Sequence, residues 1–229
     1  MPMLAARIRA VSFDLDGTLI DTLPDLAGAV NETLTALRAP NLPTGRIAGF
    51  IGDGADILVL RAVAASLGLP CEEDARSTGA VDIFDRLYRQ RLMSESRVYP
   101  GVVETLQRLS ESGFAICCIT NKDGKFALPL LAAAGLSRWL AFTLSPATRE
   151  ERKPNPAMIV AATRKLGVDP QEMVYVGDTA TDILAAHAAG CPAIAVSYGY
   201  NHKRPLGELS PEAQIDRFPD LSRYLDRAE

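Results

Sequence analysis

The strongest constraint on the fold is the stretch from Val11 to Asp21, V-S-F-D-L-D-G-T-L-I-D, where an apolar run stops at two aspartates two residues apart. The run is rich in residue types that favour a buried β-strand, and Gly17 is able to adopt the positive φ that a turn after a strand often needs. Asp14 and Asp16 then lie at the carboxyl end of the strand, where open α/β sheets bind their ligands. The stretch predicts a strand that delivers carboxylates to a ligand site.

Two other interpretations compete for the same residues. Asp and Gly are common in surface turns, and D-x-D-G also occurs in calcium-binding loops. The residues that follow, T-L-I, do not supply the further oxygen ligands and the closing Glu that an EF-hand requires. A calcium loop is therefore disfavoured, while a surface turn stays open on these residues alone.

Composition restricts the class of protein. The chain has 229 residues, 48% hydrophobic and 23% charged, with a net charge of -4, which is typical of a globular protein and not of a general nucleic-acid binder. No apolar run approaches the roughly 20 residues that cross a bilayer, and the start lacks the apolar core of a secretory signal. We therefore expect a cytoplasmic protein, monomeric or homodimeric, that binds neither nucleic acid nor membrane. The four cysteines have no metal-ligand spacing and are expected to be buried free thiols.

Strand and helix patterns alternate except in one block. Apolar runs predict strands at 114–119, 142–145, 173–177 and 192–196, and the order of elements implies a parallel sheet with helices on both faces. Residues 22–97 instead predict helices only, at 22–38, 44–50, 55–67 and 72–93. Such a block is too long for an ordinary crossover. The sequence therefore predicts an α/β, Rossmann-like core formed by residues 1–21 and 98–229, with an inserted all-helical cap at 22–97.

Polar residues follow three of the predicted strands. Thr120 and Asn121 come after the second strand, and Asp178 after a later one, with Lys153 in a loop between them. Because the carboxyl ends of parallel strands meet at one sheet edge, we expect these side chains to lie near Asp14.

Motif order identifies a resemblance. D-L-D-G-T-L-I-D resembles the first motif of the haloacid dehalogenase superfamily, in the branch that hydrolyses phosphate esters. T-N-K is similar to its second motif, K-P-x-P to its third and G-D-x-x-x-D to its fourth. The resemblance implies that Asp14 is the nucleophile and Asp16 the general acid and base. It also implies that Lys153, Thr120 and Asn121 contact the substrate.

The same resemblance implies a magnesium site. Its ligands are Asp14, the backbone carbonyl of Asp16, and Asp178, with Asp182 contributing directly or through water. Four converging carboxylates would repel a phosphate dianion unless a cation intervened, and oxygen-only ligands suit Mg²⁺. Two alternatives remain on the residues alone: Asp182 as a helix-capping carboxylate, and Lys153 as a solvated loop lysine.

Within the superfamily, several segments resemble the bacterial phosphoglycolate phosphatase family, among them I-G-D-G-A-D-I-L in the cap and S-Y-G-Y-N near the end. This resemblance implies a small anionic phosphate ester as substrate, with 2-phosphoglycolate the best single candidate. Arg61 and the amides around Gly52 and Gly54 are candidates to bind its carboxylate, or else a turn and a surface arginine. His202 is a candidate for the border of the pocket.

Three functions fit these motifs. The first is a phosphatase, the second a phosphomutase of the β-phosphoglucomutase type or a sugar-phosphate phosphatase, and the third a non-catalytic binding protein on the same fold. A nucleophile and an acid together favour the enzyme classes.

Overall fold

The computed structural model describes residues 7–201 and 205–225. The strands are β1 (Ala10–Phe13), β2 (Ile20–Asp21), β3 (Arg97–Val98), β4 (Ala115–Ile119), β5 (Phe142–Leu144), β6 (Met173–Gly177), β7 (Ala193–Val196) and β8 (Ala213–Ile215). Six of them form one sheet in the order β5-β4-β1-β6-β7-β8, and every pair in it is parallel. The predicted α/β fold with a parallel sheet is confirmed.

The four later strands predicted from apolar runs match the structure to within one residue at each end. The sequence did not predict β8, or the antiparallel pair formed by β2 and β3. Each of these strands has at most three residues, so none of them carries a periodic pattern long enough to identify.

Helices cover both faces of the sheet. They are α1 (Leu23–Ala36), α2 (Thr44–Ala48), α3 (Ala55–Leu67), α4 (Ala80–Arg91), α5 (Val102–Glu111), α6 (Gly124–Ala133), α7 (Ala157–Leu166), α8 (Ala180–Ala188) and α9 (Ser222–Leu225). Because successive strand residues point to opposite faces, Val11 and Phe13 pack in one core with α5 and α6, while Ala10 packs in another with α7 and α8. The sheet is thus the middle of three layers.

Residues 22–96, which we call the helical insertion, contain α1 to α4 and join the core through β2 and β3. The insertion has a hydrophobic cluster of its own, in which Val30, Val59 and Phe84 are fully buried. Phe126 from α6 and Tyr200 from the core complete that cluster. The insertion is therefore a packed helical unit set against the carboxyl edge of the sheet.

One helix prediction is wrong. A single helix over residues 72–93 was expected, but the chain forms a 3₁₀ helix at Glu72–Thr78, and α4 begins only at Ala80. Gly79 between them has φ 70°, a left-handed conformation that interrupts a regular helix.

The predicted start of α1 is also different in detail. Thr22 is the N-cap residue, but its hydroxyl makes no capping bond. Instead the Tyr200 hydroxyl accepts hydrogen bonds from the amides of Thr22 (2.7 Å) and Leu23 (2.9 Å). Asp25, which was expected in the cap, accepts bonds from the amides of Glu95 (2.9 Å) and Ser96 (3.0 Å). The two chain segments that connect the insertion to the core are thereby joined to each other.

The expectation of buried thiols holds for Cys117, Cys118 and Cys191 but is wrong for Cys71, which is exposed. Cys71 precedes the 3₁₀ helix in a polar part of the insertion, where there is no apolar layer to cover it. Within the described ranges, no helix has both the length and the apolar character required to cross a membrane.

Candidate active site

Three adjacent strands deliver the predicted site residues to one edge of the sheet. β4, β1 and β6 are neighbours, and Thr120, Asp14 and Asp178 each follow the last residue of one of them. The amide of Asp14 donates to the Val176 carbonyl (2.9 Å), which continues the ladder by one residue beyond β1. The apolar strands thus fix the backbone of the polar residues that follow them.

Asp14, Asp178 and Asp182 form a buried acidic cluster whose ligand oxygens lie within 4.8 Å of one another. Two backbone segments press against it: a Cβ added at Gly17 or at Gly199 would collide with the Asp178 carboxylate. Thr18 Oγ1 (3.1 Å) and the Tyr200 amide (2.6 Å) donate to Asp178 and hold it in place.

Charge in this cluster is unbalanced. Among the described residues, the three carboxylates of the cluster have one ammonium beside them, that of Lys153, which contacts Asp14 and Asp182, so the buried group carries two excess negative charges if all are ionised. Burial raises the pKa of Asp14 to about 7 against the opposing effect of Lys153, and burial together with Asp182 raises the pKa of Asp178. A divalent cation with oxygen preference fits this donor set in charge and chemistry.

Lys153 is almost fully enclosed, with 1% of its side chain exposed. Its ammonium lies 2.9 Å from Asp14 Oδ1 and 2.7 Å from Asp182 Oδ1, and it donates to the Tyr175 hydroxyl (2.7 Å). Burial lowers the pKa of Lys153, but the two carboxylates outweigh burial and raise it above its ordinary value. Lys153 is therefore a buried partner of Asp14 and not a solvated loop lysine.

Asp182 has two structural roles at the start of α8. Its Oδ2 accepts hydrogen bonds from the amide (2.9 Å) and hydroxyl (2.6 Å) of Thr179, which is the N-cap residue of that helix. Its Oδ1 faces Lys153. Asp182 is thus both a capping carboxylate and a member of the acidic cluster, so the two interpretations of this residue are compatible.

Asp16 lies beside Lys122, a lysine of the T-N-K motif for which the sequence predicted no role. Lys122 Nζ is 3.0 Å and 3.2 Å from the two carboxylate oxygens of Asp16, and Thr22 Oγ1 donates to Asp16 Oδ1 (2.7 Å). The Lys122 ammonium also lies 4.7 Å from the centre of the Tyr88 ring on α4. Burial lowers the pKa of Lys122, but Asp16 and Tyr88 outweigh it and raise the value. Lys122 is a buried cation at the boundary between core and insertion.

Asn121 connects three segments. Its Nδ2 donates to the carbonyls of Gly52 (2.9 Å) and Lys153 (3.0 Å), and its Oδ1 accepts from the Lys153 amide (2.8 Å). The predicted contact of Asn121 with substrate therefore competes with bonds that already use both of its amide protons. Asn121 positions the Lys153 loop and the loop of the insertion between α2 and α3.

The site surrounds a small cavity of about 30 Å³, which leaves room for roughly two water molecules. Its described lining residues come from both parts of the chain: Asp14, Asp16, Leu26, Ile51, Gly52, Gly54, Ala55, Leu58, Thr120, Asn121, Lys122 and Thr179. A second cavity of about 330 Å³ shares Ile51, Gly52 and Thr179 with the first; we call the first the inner cavity and the second the outer cavity. The helical insertion thus covers the acidic side chains and leaves little free volume between them and its own residues.

Arg61 lines the outer cavity and not the inner one. Its guanidinium is paired with Asp53 (2.6 Å) and Glu72 (3.0 Å) inside the insertion. Gly52, the other predicted contact from this region, lines both cavities. His202 lies outside the described residues.

Comparisons with known proteins agree with this architecture. A sequence model of the haloacid dehalogenase-like hydrolases matches residues 8–190. Phosphoglycolate phosphatase 1 of Pseudomonas aeruginosa is 38% identical over 228 residues, which are 99% of this chain and 84% of that protein. The phosphoglycolate phosphatase of Mannheimia succiniciproducens is 37% identical over 222 residues, covering 96% of this chain and 99% of its own length.

Solved structures give the same result. The crystal structure of a predicted phosphoglycolate phosphatase from Haemophilus somnus 129pt superimposes with a TM-score of 0.87 at 33% identity, over 95% of this chain and 97% of that one. CbbY from Rhodobacter sphaeroides, solved with phosphate, has a TM-score of 0.74 at 21% identity over 96% of this chain and 100% of its own, and shares the fold.

The parallel sheet, with its buried carboxylates at the carboxyl edge, is an α/β architecture with a ligand site at that edge. The chain belongs to the haloacid dehalogenase-like hydrolase family.

Proposed function

We propose that the chain is a magnesium-dependent phosphatase that hydrolyses a small phosphate monoester through an aspartyl phosphate, with 2-phosphoglycolate as the substrate. The observation that carries the proposal is the pair of aspartates after β1: Asp14 faces Lys153 in the acidic cluster, and Asp16 lines the same cavity two residues later. The names of the relatives at 37% and 38% identity support the choice of substrate.

In the first half of the proposed reaction, a carboxylate oxygen of Asp14 attacks phosphorus. The bond from phosphorus to the leaving-group oxygen breaks, and its electron pair goes to that oxygen, which takes a proton from Asp16. Lys153 holds Asp14 at 2.9 Å and limits its rotation. Its four close partners leave little of the ammonium for the phosphoryl group, so we assign it mainly to orienting Asp14.

In the second half, ionised Asp16 takes a proton from water while the water oxygen attacks phosphorus of the aspartyl phosphate. The bond to Asp14 breaks, and inorganic phosphate leaves. Asp14, Asp178 and the backbone carbonyl of Asp16 would hold Mg²⁺, with Asp182 beside them. When bound, the cation would supply the positive charge that lets a phosphate dianion approach these carboxylates.

A panel of phosphate monoesters, followed by release of inorganic phosphate, tests the proposal. We expect kcat/KM for 2-phosphoglycolate to exceed that for ethyl phosphate, glycerol phosphates and hexose phosphates. If kcat/KM for a hexose phosphate or a nucleotide is tenfold higher than for 2-phosphoglycolate, a difference of about 1.4 kcal/mol in transition-state binding, the proposed substrate is wrong. The proposed phosphatase activity would stand. Isomerisation of a sugar phosphate without release of phosphate would identify a mutase instead.

A further inference from the structure

Lys122 is the cation nearest to the leaving-group side of the proposed reaction. It is 3% exposed, lies in the wall of the inner cavity and is 3.0 Å from Asp16, the proposed proton donor to the leaving group. Any group attached one or two carbons from the leaving oxygen lies within a few ångströms of Asp16, and therefore close to the Lys122 ammonium.

Other candidate cations are less suitable. Among the described residues that line the inner cavity, Lys122 is the only one with a positive charge. Lys153 is enclosed by Asp14, Asp182 and Tyr175 and does not line this cavity. Arg61 lines the outer cavity and is paired with two carboxylates of the insertion.

We propose that Lys122 is a specificity-determining residue that binds a carboxylate on the leaving group of the substrate. The inference rests on the proposed phosphatase function. It assigns binding of that carboxylate to Lys122 of the core, whereas the sequence had suggested Arg61 of the insertion. The Tyr88 ring fixes the ammonium from the insertion side, and Gly54 and Ala55 bring the positive end of α3 to the same cavity. A leaving group with a negative charge is therefore preferred over a neutral one of equal size.

The first experiment compares two substrates in matched variants. For each variant, kcat/KM for 2-phosphoglycolate is divided by kcat/KM for ethyl phosphate, which has a neutral leaving group of similar size. We expect Lys122→Met to lower this ratio tenfold or more. Lys125→Met is the control, since Lys125 is 35% exposed, pairs with Asp85 and does not line the cavity; it should leave the ratio unchanged, and Arg61→Met should change it less than threefold.

A lysine that only positioned Asp16 would give a different result. Lys122→Met would then slow both substrates equally, and an unchanged ratio would overturn the inference. A tenfold loss in Arg61→Met with no loss in Lys122→Met would overturn it as well. If the wild type itself does not prefer 2-phosphoglycolate, the proposed substrate fails; if it does and Lys122→Met keeps the preference, only the present inference fails.

A second pair of variants tests the inference even if Lys122→Met alone does not fold. Lys122→Met alone leaves Asp16, whose side chain is 14% exposed, as an uncompensated charge, whereas Asp16→Asn combined with Lys122→Met removes both charges of the pair. Binding of 2-phosphoglycolate and of inorganic phosphate is measured by calorimetry in Asp16→Asn and in the double variant, with MgCl₂ present. We expect the double variant to bind 2-phosphoglycolate at least tenfold more weakly and inorganic phosphate equally well. Equal affinity of the two variants for 2-phosphoglycolate would overturn the inference.

Discussion

Lys153 in the core and Arg149 at the boundary both pair with aspartates, but in different surroundings. Lys153 joins Asp14 to Asp182 with 1% of its side chain exposed, whereas Arg149 reaches Asp56 of the helical insertion (2.7 Å) with 38% exposed. Removing one partner of a buried ion pair costs several kcal/mol, about 3–5, while an exposed pair contributes about 0.2–1 kcal/mol.

This difference separates two tasks. Strong buried contacts keep the reacting groups of the core in a fixed geometry, as catalysis requires. The exposed ion pairs at the boundary are weaker, so we expect them to break at little cost if the insertion moves during substrate entry. Substitutions in the core should therefore abolish chemistry, and substitutions at the boundary should change it modestly.

The largest effect is expected from the proposed nucleophile. Asp14→Ala should lower kcat by at least about 10⁴-fold, because no neighbouring group takes over attack on phosphorus. Asp14→Asn should be equally inactive, since its amide is a poor nucleophile. Phosphate release measures the loss, and circular dichroism checks the fold. Turnover above about one part in a hundred in a folded Asp14→Ala protein would exclude Asp14 from this role.

Metal removal should have a comparable effect on activity. A chelator in excess is expected to stop phosphate release, and MgCl₂ should restore it, because the acidic cluster otherwise opposes the substrate. Full activity with the chelator present would contradict a metal-dependent site.

The same cluster gives a pH signature in the metal-free protein. The pKa of Asp14 is raised from 3.8 to about 7, and that of Asp178 is raised too, so the folded state binds more protons than the unfolded state in that range. This contribution to stability is complete below about pH 4 and is lost as the pH rises through 7. Mg²⁺ competes with the protons, and the increase in Tm on adding MgCl₂ should be larger at pH 8 than at pH 5. An increase that is equal at both values would indicate that the cation binds elsewhere.

Asp16→Asn should have a smaller effect than loss of the nucleophile. An amide can neither protonate the leaving oxygen nor accept a proton from water, and a general acid or base typically contributes about 10²–10⁴-fold. An aryl phosphate whose leaving group needs no proton should rescue formation of the aspartyl phosphate but not its hydrolysis, so burst kinetics should appear. Unchanged turnover of an alkyl phosphate would remove Asp16 from acid catalysis.

The part of the site that could be predicted consists of residues that directly follow the core strands. Asp14, Thr120 and Asp178 were found because each directly follows a buried apolar strand, and the parallel sheet brings such strand ends together. Tyr175 was missed although a signal was present: a hydroxyl within the buried strand β6 must find a partner, and it donates to the Ile119 carbonyl (2.7 Å) and accepts from Lys153.

Side-chain pairs between residues distant in sequence gave no comparable signal. Asp16 and Lys122 are 106 residues apart, and they meet because they follow β1 and β4, which are neighbours in the sheet. Arg61 was predicted to face the substrate, but Asp53 and Glu72, eight and eleven residues away, compete for its guanidinium within the insertion. Local competition of this kind cannot be seen in a motif.

The smallest expected effect belongs to the partly exposed ion pairs of Asp56, whose side chain is 25% exposed. This carboxylate contacts Arg149 (2.7 Å) and Arg152 (2.8 Å), and Arg152 also donates to the Asp53 carbonyl (2.6 Å), so the core loop and the start of α3 are joined. Asp56→Asn removes one charge from these contacts and should destabilise the closed arrangement by about 0.2–1 kcal/mol, which corresponds to an increase in KM of roughly 1.4- to fivefold. We expect kcat to stay the same or rise, because opening of the insertion becomes easier.

Ionic strength distinguishes this explanation from a general loss of stability. Exposed pairs are screened by salt, so the KM values of wild type and Asp56→Asn should converge as the NaCl concentration approaches 1 M. Glu32→Gln is the matched control, since Glu32 pairs with Arg91 inside the insertion and is 45% exposed; its KM should equal that of the wild type at every salt concentration. A tenfold or larger loss of kcat in Asp56→Asn would mean that Asp56 is needed for the chemical step. It would contradict the hypothesis that the boundary ion pairs affect only how readily the insertion opens.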